Sequence, residues 1–96
     1  MAELADLPAQ AGAYMNYSVY MLKSENKNWF YIGLTGNLKK RIYQHNDRQT
    51  QSTKAYAPFK LIFHKSFNLR TEARDYEKFL KIRSNKEKML KTLGVI

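Results

Sequence analysis

Cysteine, long apolar runs and acidic side chains are scarce in this sequence of 96 residues. The absence of cysteine excludes disulfide bonds and metal sites built from thiolates. No apolar run approaches the roughly 20 residues that span a bilayer, and the N-terminus has no basic-then-apolar targeting signal. These absences predict a soluble cytoplasmic protein with no membrane partner.

The shortage of acids leaves a strongly basic chain. Seventeen Lys and Arg against eight Asp and Glu give a net charge of +9. Residues 1–14 contain two of the acids and none of the bases, so residues 15–96 have a net charge of +11. A basic field of this size is typical of proteins that bind a polyanion, most often nucleic acid. A solvated basic surface and attraction to anionic lipid are the alternatives.

The chain divides into a short extension and one domain. Residues 1–14 are rich in alanine and contain a proline and a glycine, which predicts a weakly ordered extension. Residues 15–96 are expected to form a single domain. Runs of β-branched, aromatic and helix-forming residues predict strands over 17–23, 29–33 and 59–67, and helices over 37–46, 72–83 and 85–93. This β-β-α-β-α-α order predicts an α/β fold of the α+β type, a small antiparallel sheet with helices on its faces.

Details of the strands follow from turn chemistry and alternation. A two-residue turn at Glu25 and Asn26 would place Tyr20 directly opposite Tyr31 on one face of a hairpin. A slip of two residues would leave the two tyrosines as diagonal neighbours on that face. Apolar residues on both faces of strand 59–67 predict a central place in the sheet.

Details of the helices follow from cap signals. Asn37 is expected to cap the first helix and Thr71 the second, and Gly94 is expected to end the last helix.

The first helix turns two charged or polar side chains toward the core. At 100° per residue, Leu38, Arg41, Ile42 and His45 share one face. Arg41 is explained either by a structural ion pair or by contact with a ligand, and His45 either by the helix dipole or by a functional site. Their occurrence together, next to the two-tyrosine hairpin, favours a functional site.

The second helix has one acid in an unusual position. Glu77 lies at the seam between an apolar stripe (Ala73, Tyr76, Phe79 and Leu80) and a basic cluster (Arg70, Arg74, Lys78 and Lys81). An ordinary ion pair between Glu77 and Lys81 is one explanation. The other is that a hard metal ion meets a phosphate at this carboxylate.

The spacing of these residues resembles that of the GIY-YIG nuclease superfamily, in particular its small stand-alone members. The matching segments are "SVY" at 18–20, "YIG" at 31–33, "LKKRIYQH" at 38–45 and "EARDYEKFLK" at 72–81. The resemblance implies a three-stranded antiparallel sheet flanked by helices. It also implies a catalytic set, with Glu77 as the metal ligand: Tyr20, Tyr31, Arg41, His45 and Glu77.

The sequence departs from the family pattern in two places. The first triplet is Ser-Val-Tyr instead of Gly-Ile-Tyr, which keeps the tyrosine. Many family nucleases have a late asparagine after the glutamate, and Asn85 is the nearest candidate for that role here.

The expected reaction is hydrolysis of phosphodiester bonds in nucleic acid, with DNA as the expected substrate. One Mg²⁺ (or Mn²⁺) would bind Glu77, and Arg41 would stabilise charge on the phosphate. Tyr20 or Tyr31, with its phenolate made accessible by nearby positive charge, would deprotonate the attacking water, and His45 would accept or relay the proton. Backbone contacts are expected from six cations: Lys39, Lys40, Lys54, Arg74, Lys78 and Lys81.

Other interpretations stay open from the sequence. A non-catalytic nucleic-acid-binding module on the same fold is one, and a basic structural protein of a ribonucleoprotein particle is another. The expected state is a monomer or a weak homodimer. Tyr20 and Tyr31 could also have only a packing role, because tyrosines are common in strands and pack well there. Lys54 and Tyr56 in the polar loop either contact a nucleic-acid backbone or are solvated.

Overall fold

The computed structural model describes residues 17–96, and the prediction for residues 1–14 lies outside that range. The strands are β1 (Tyr17–Ser24), β2 (Phe30–Thr35) and β3 (Phe59–Phe67). The α-helices are α1 (Leu38–Asn46), α2 (Arg70–Lys81) and α3 (Arg83–Thr92). The predicted order of elements is confirmed. Within the described range, no helix is long and apolar enough to cross a membrane.

The sheet has the order β2-β1-β3 and is antiparallel throughout. The prediction that residues 59–67 form the central strand is therefore wrong, because β1 is central. Burial explains the difference: every residue from Ser18 to Leu22 is buried, whereas in β3 only Phe59 is buried. The exposed end of β3 has the pattern expected of an edge strand that is covered on one side only.

The hairpin register is the alternative with a slip of two residues, and the direct pairing of the two tyrosines is wrong. Tyr20 pairs with Gly33, and Leu22 pairs with Tyr31. The connection is longer than two residues, since the Ser24 N–H donates to the Trp29 carbonyl and the Ser24 hydroxyl accepts from Asn26 and Lys27 N–H groups. This turn shifts the pairing by two residues, so Tyr20 and Tyr31 become diagonal neighbours on one face.

Alternation along β1 creates two cores on opposite faces of the sheet. Tyr20 and Leu22 pack against Leu38 of α1 and against Ala57 and Phe59. Val19, Met21 and Ile32 form the other core with three residues of α2 and α3: Ala73, Leu80 and Leu90. The apolar stripe predicted for the second helix is only partly buried, because Phe79 is 51% exposed.

Asn37 caps α1 as predicted, with its side chain accepting a hydrogen bond from the Lys40 N–H at 3.1 Å. At the other end of the helix, the Asn46 side chain accepts from the Phe59 N–H at 2.6 Å. These two asparagines fix where α1 begins and how its last turn is attached to β3.

The predicted cap of the second helix is wrong. α2 begins at Arg70, its N-cap position is Leu69, and no side chain caps it. Thr71 therefore lies inside the first turn. Ile82 separates α2 from α3, and the prediction that Gly94 ends the last helix is confirmed by its φ of 75° and by the Val95 N–H bonded to the Leu90 carbonyl.

The polar loop between α1 and β3 is anchored to the β1–β2 hairpin by two contacts of Tyr56. Residues Lys54–Tyr56 form a 3₁₀ turn. The Tyr56 ring stacks on Trp29 with centroids 3.9 Å apart, and the Tyr56 carbonyl accepts from the Ser24 hydroxyl at 2.6 Å. Tyr56 therefore has a packing role and is not simply solvated, and its contact with a nucleic-acid backbone stays a prediction.

Candidate active site

Two strands and one helix bring the predicted tyrosines, arginine and histidine together. Tyr20 and Tyr31 face α1 from neighbouring strands, with ring centroids 6.1 Å apart. The His45 ring lies 4.9 Å from the Tyr31 centroid and 5.9 Å from the Tyr20 centroid. Because Arg41 lies one helical turn before His45, its guanidinium is directed at the same two phenols.

Gly33 makes room for this arrangement. It pairs with Tyr20 across the hairpin, and a Cβ at this position would lie 2.5 Å from the Tyr20 hydroxyl oxygen and 2.8 Å from Tyr31 Cε2. The Tyr20 phenol can therefore lie across β2 only because residue 33 has no side chain. This close approach is the physical reason for the glycine in the "YIG" segment.

His45 is fully buried, and both of its ring nitrogens have partners. Nε2 lies 2.9 Å from the Tyr20 hydroxyl, and Nδ1 lies 2.9 Å from the Thr53 hydroxyl. Burial, and then the positive charge of Arg41, lower the pKa of His45 to about 4. The imidazole is thus neutral near pH 7. Stabilisation of a charged His45 by the helix dipole does not explain its position.

Arg41 is half-buried, and its Nη1 donates to Gln44 Oε1 at 3.1 Å. Partial burial alone would lower its pKa, but the Tyr20 and Tyr31 phenols outweigh that effect, so the pKa of Arg41 is raised. The guanidinium therefore remains charged at all relevant pH values.

Burial raises the pKa of Tyr20 well above its ordinary value, and the nearby Tyr31 and the charge of Glu77 add to that increase, against a smaller lowering by Arg41. The expectation that positive charge makes a phenolate accessible is therefore wrong for Tyr20. The reason is that desolvation of a fully buried phenol outweighs the effect of one neighbouring cation.

Arg41 borders an open groove of about 420 Å³ at the turn between β2 and α1. Lys40 and Arg70 contribute two further positive charges to this groove, and Gln44 contributes an amide. The remaining lining residues are Leu34, Thr35, Gly36 and Asn37. The groove combines three cations with polar groups, which is a suitable environment for a phosphodiester.

Glu77 lies apart from the hydrogen-bonded group but within its electrostatic reach. Its side chain is 15% exposed and forms an ion pair with the more exposed Lys81 at 3.2 Å. The ordinary ion pair considered from the sequence therefore exists. The charge of Glu77 also contributes to the raised pKa of Tyr20, so the two groups lie close enough to interact.

The part of the chain that the structure describes holds no dense cluster of metal ligands. No group of three or more His, Asp or Glu side chains able to bind a metal occurs within residues 17–96. Glu77 is mostly buried, and its one ion-pair partner is a flexible exposed lysine. A single carboxylate of this kind fits one Mg²⁺ that keeps most of its water ligands, and does not fit a two-metal site.

The other predicted residues occupy different surroundings. All six proposed backbone-contacting cations are exposed: Lys39, Lys40, Lys54, Arg74, Lys78 and Lys81. The Asn85 amide donates to the Phe79 carbonyl at 3.0 Å, where α2 meets α3. Asn85 therefore has a structural partner, and its equivalence to the late asparagine stays a prediction.

Sequence reasoning missed three residues at this site. Thr53 was read only as part of a polar loop, and its contact with His45 depends on how that loop folds back. Gln44 had a detectable signal, because a residue three positions after Arg41 on a helix can reach it. Arg70 was noticed only as a cation beside α2, and no local pattern predicts its place in the groove.

Comparison with known proteins decides the family. The family model described as the GIY-YIG catalytic domain matches residues 16–90, which is most of the chain and includes all of the residues above. The chain belongs to the GIY-YIG family. The predicted family and fold are thereby confirmed, and membership implies a nuclease.

This GIY-YIG chain is similar to small proteins of the UPF0213 group. It is 37% identical over 76 residues to UPF0213 protein YazA of Bacillus subtilis, covering 78% of this chain and 76% of that protein. It is 35% identical over 97 residues to a UPF0213 protein of Pediococcus acidilactici, covering 95% of this chain and 93% of that protein. The solution NMR structure of UPF0213 protein BH0048 from Bacillus halodurans matches with a TM-score of 0.52 and 28% identity, over 81% and 85% of the two chains.

Proposed function

We propose that this GIY-YIG protein is a metal-dependent endonuclease that hydrolyses phosphodiester bonds in nucleic acid, with DNA as the expected substrate. The observation that supports the proposal best is the position of Arg41. Its guanidinium lies beside two phenols and borders the basic groove, so a phosphate in the groove would meet a fixed positive charge next to candidate groups for water activation. A purely structural arginine has no need of this combination.

The phosphate would lie in the groove against Arg41. Negative charge grows on the phosphoryl oxygens as the water attacks, and the planar guanidinium can donate two hydrogen bonds to them. Lys40 and Arg70 would receive the flanking phosphates of the same strand.

Exposure distinguishes the two tyrosines. Tyr20 is fully buried, whereas Tyr31 is only half-buried, so part of its side chain is open to water. We therefore assign Tyr31 to orienting the water and accepting its proton. A pKa of about 4 makes His45 a weak proton acceptor, so we assign it to holding Tyr20 instead.

Glu77 would hold the single Mg²⁺ or Mn²⁺, displacing Lys81 from its ion pair. A divalent ion bound there supplies Lewis-acid stabilisation of the phosphate and of the leaving oxygen. The six exposed cations would add affinity for the sugar-phosphate backbone without reading the bases. We expect a monomer or a weak homodimer that acts in the cytoplasm.

The test is a cleavage assay on plasmid, single-stranded and branched DNA and on RNA, with and without Mg²⁺. Arg41→Gln should abolish cutting, and the control Arg83→Gln should not, because the Arg83 side chain is 91% exposed on α3 and pairs only with Glu87. Cleavage of none of these substrates by the unmodified protein would reject the endonuclease. Binding that weakens steeply with salt in the absence of cleavage would instead support the non-catalytic binding module.

A further inference from the structure

The Thr53 side chain is buried against His45, and the proposed reaction needs His45 in one tautomer. Thr53 is fully buried although it lies in a polar loop, and its Oγ1 is 2.9 Å from His45 Nδ1. The other His45 nitrogen is 2.9 Å from the Tyr20 hydroxyl, which is also fully buried. Thr53, His45 and Tyr20 therefore form one continuous chain of hydrogen bonds between the loop and β1.

We propose that Thr53 is a positioning residue that holds neutral His45 with its proton on Nδ1, so that Nε2 accepts the proton of the Tyr20 hydroxyl. The direction of the chain follows from the Tyr20 hydroxyl, whose proton needs His45 Nε2 as its acceptor. His45 Nδ1–H then donates to Thr53, and the Thr53 hydroxyl proton is left for the Thr50 carbonyl, 3.5 Å from Oγ1.

The opposite tautomer leaves a donor without a partner. If Nε2 had the proton, it would donate to the Tyr20 oxygen, and the Tyr20 hydroxyl proton would need another acceptor. Within residues 17–96, His45 Nε2 is the acceptor within hydrogen-bonding distance of that hydroxyl, and the neighbouring Arg41 guanidinium has donors only. A buried hydroxyl without an acceptor is costly, so the chain favours one direction only.

The direction of the chain affects Arg41. When Tyr20 donates to His45, the lone pairs of its oxygen remain free to face the guanidinium, which has donors only. When the tautomer is reversed, Nε2–H would take one of these lone pairs, and the Tyr20 O–H would turn away from His45 toward the guanidinium, which has donors only and would be displaced from the two phenols. Thr53 thus acts on Arg41 through His45 and Tyr20. This consequence for catalysis rests on the proposed function.

The tautomer can be measured without any cleavage assay. In uniformly ¹⁵N-labelled full-length protein near pH 7, a long-range ¹H–¹⁵N correlation spectrum should show His45 with a protonated Nδ1 and an unprotonated Nε2. His64 is the only other histidine and is exposed, so His64→Gln assigns the signals. An unprotonated Nδ1 in the unmodified protein would overturn the proposal, and this result needs no variant to fold.

Variants test the role of the hydroxyl. Thr53→Val should shift His45 toward the Nε2–H form, whereas Thr53→Ser should keep the Nδ1–H form, and Thr71→Val serves as a control at an exposed position of α2. An unchanged His45 tautomer in folded Thr53→Val would overturn the proposal.

In the cleavage assay, Thr53→Val should lower kcat roughly 10-fold or more with little change in KM, because a displaced Arg41 loses transition-state contacts. Thr53→Ser should restore most of kcat. A Thr53→Val kcat equal to that of the unmodified enzyme would overturn the link to Arg41. A protein that shows the Nδ1–H tautomer but cuts no substrate would reject the endonuclease and keep the role of Thr53.

Discussion

The protonation of His45 depends on its burial. Its pKa falls to about 4 in the folded protein, compared with about 6.5 when unfolded. Between these values the unfolded state binds more protons than the native state, so the free energy of unfolding falls as the pH is lowered through this window. The shift corresponds to a loss on the order of 3 kcal/mol by the time the pH is below 4.

Denaturation at pH 7 and at pH 4.5 tests this linkage. His45→Gln should be less stable than the unmodified protein at pH 7 and should lose less stability on acidification, because the variant has no imidazole to protonate at this position. Equal losses in the two proteins would contradict the assigned pKa.

Gly33 is a second residue on which the geometry of the site depends, because one added carbon atom there would disturb it. A Cβ there would overlap the Tyr20 hydroxyl, and relief of such overlap in a packed region costs about 1–3 kcal/mol. Gly33→Ala should therefore lower the free energy of unfolding by that amount and displace the Tyr20 phenol. The matched control is Gly36→Ala, where the added Cβ meets nothing within 4 Å. Similar free energies of unfolding for the two variants would show that Tyr20 does not require residue 33 to lack a side chain.

At the level of elements, the position of α1 depends on its cap. The Asn37 side chain bonds the Lys40 N–H, and loss of such a cap costs about 1 kcal/mol. Chemical denaturation should show that loss for Asn37→Ala and recovery for Asn37→Ser, which keeps an oxygen at the cap. An Asn37→Ala variant as stable as the unmodified protein would mean that the cap does not determine where α1 begins.

The same elements show what the sequence could predict. The cap of α1, the shared face of Arg41 and His45, and the end of α3 at Gly94 depend on residues a few positions apart, and all three are observed. The central strand and the direct pairing of Tyr20 with Tyr31 were predicted wrongly, because they depend on which strand is covered on both sides and on the fold of the five-residue connection 25–29. Thr53 was missed for the same reason, since its contact with His45 exists only after the loop packs on Trp29 through Tyr56.

Across the whole molecule, the charge of +9 attracts a polyanion but does not specify where it binds. The groove distinguishes the effect of a charge's position from that of overall charge, because Lys40 lines the groove and Lys88, on α3, does not. Each lost phosphate contact should reduce the steepness of log K against log salt by about 0.9 for duplex DNA. Lys40→Gln should show this reduction, measured by fluorescence anisotropy at several salt concentrations. Lys88→Gln has the same net charge, and an equal reduction for both would mean that overall charge, not the groove, determines binding.

The most direct test of the account is the Mg²⁺ dependence of single-turnover cleavage in a pair of glutamate variants. Glu77→Gln removes the acid whose charge reaches Tyr20, and Glu72→Gln removes an exposed acid from the same helix. We expect Mg²⁺ to activate the unmodified protein and Glu72→Gln alike. The rate of Glu77→Gln should fall by at least about 100-fold, since a metal ion contributes several kcal/mol of charge stabilisation. Mg²⁺-dependent cleavage by Glu77→Gln at the rate of the unmodified protein would contradict the account.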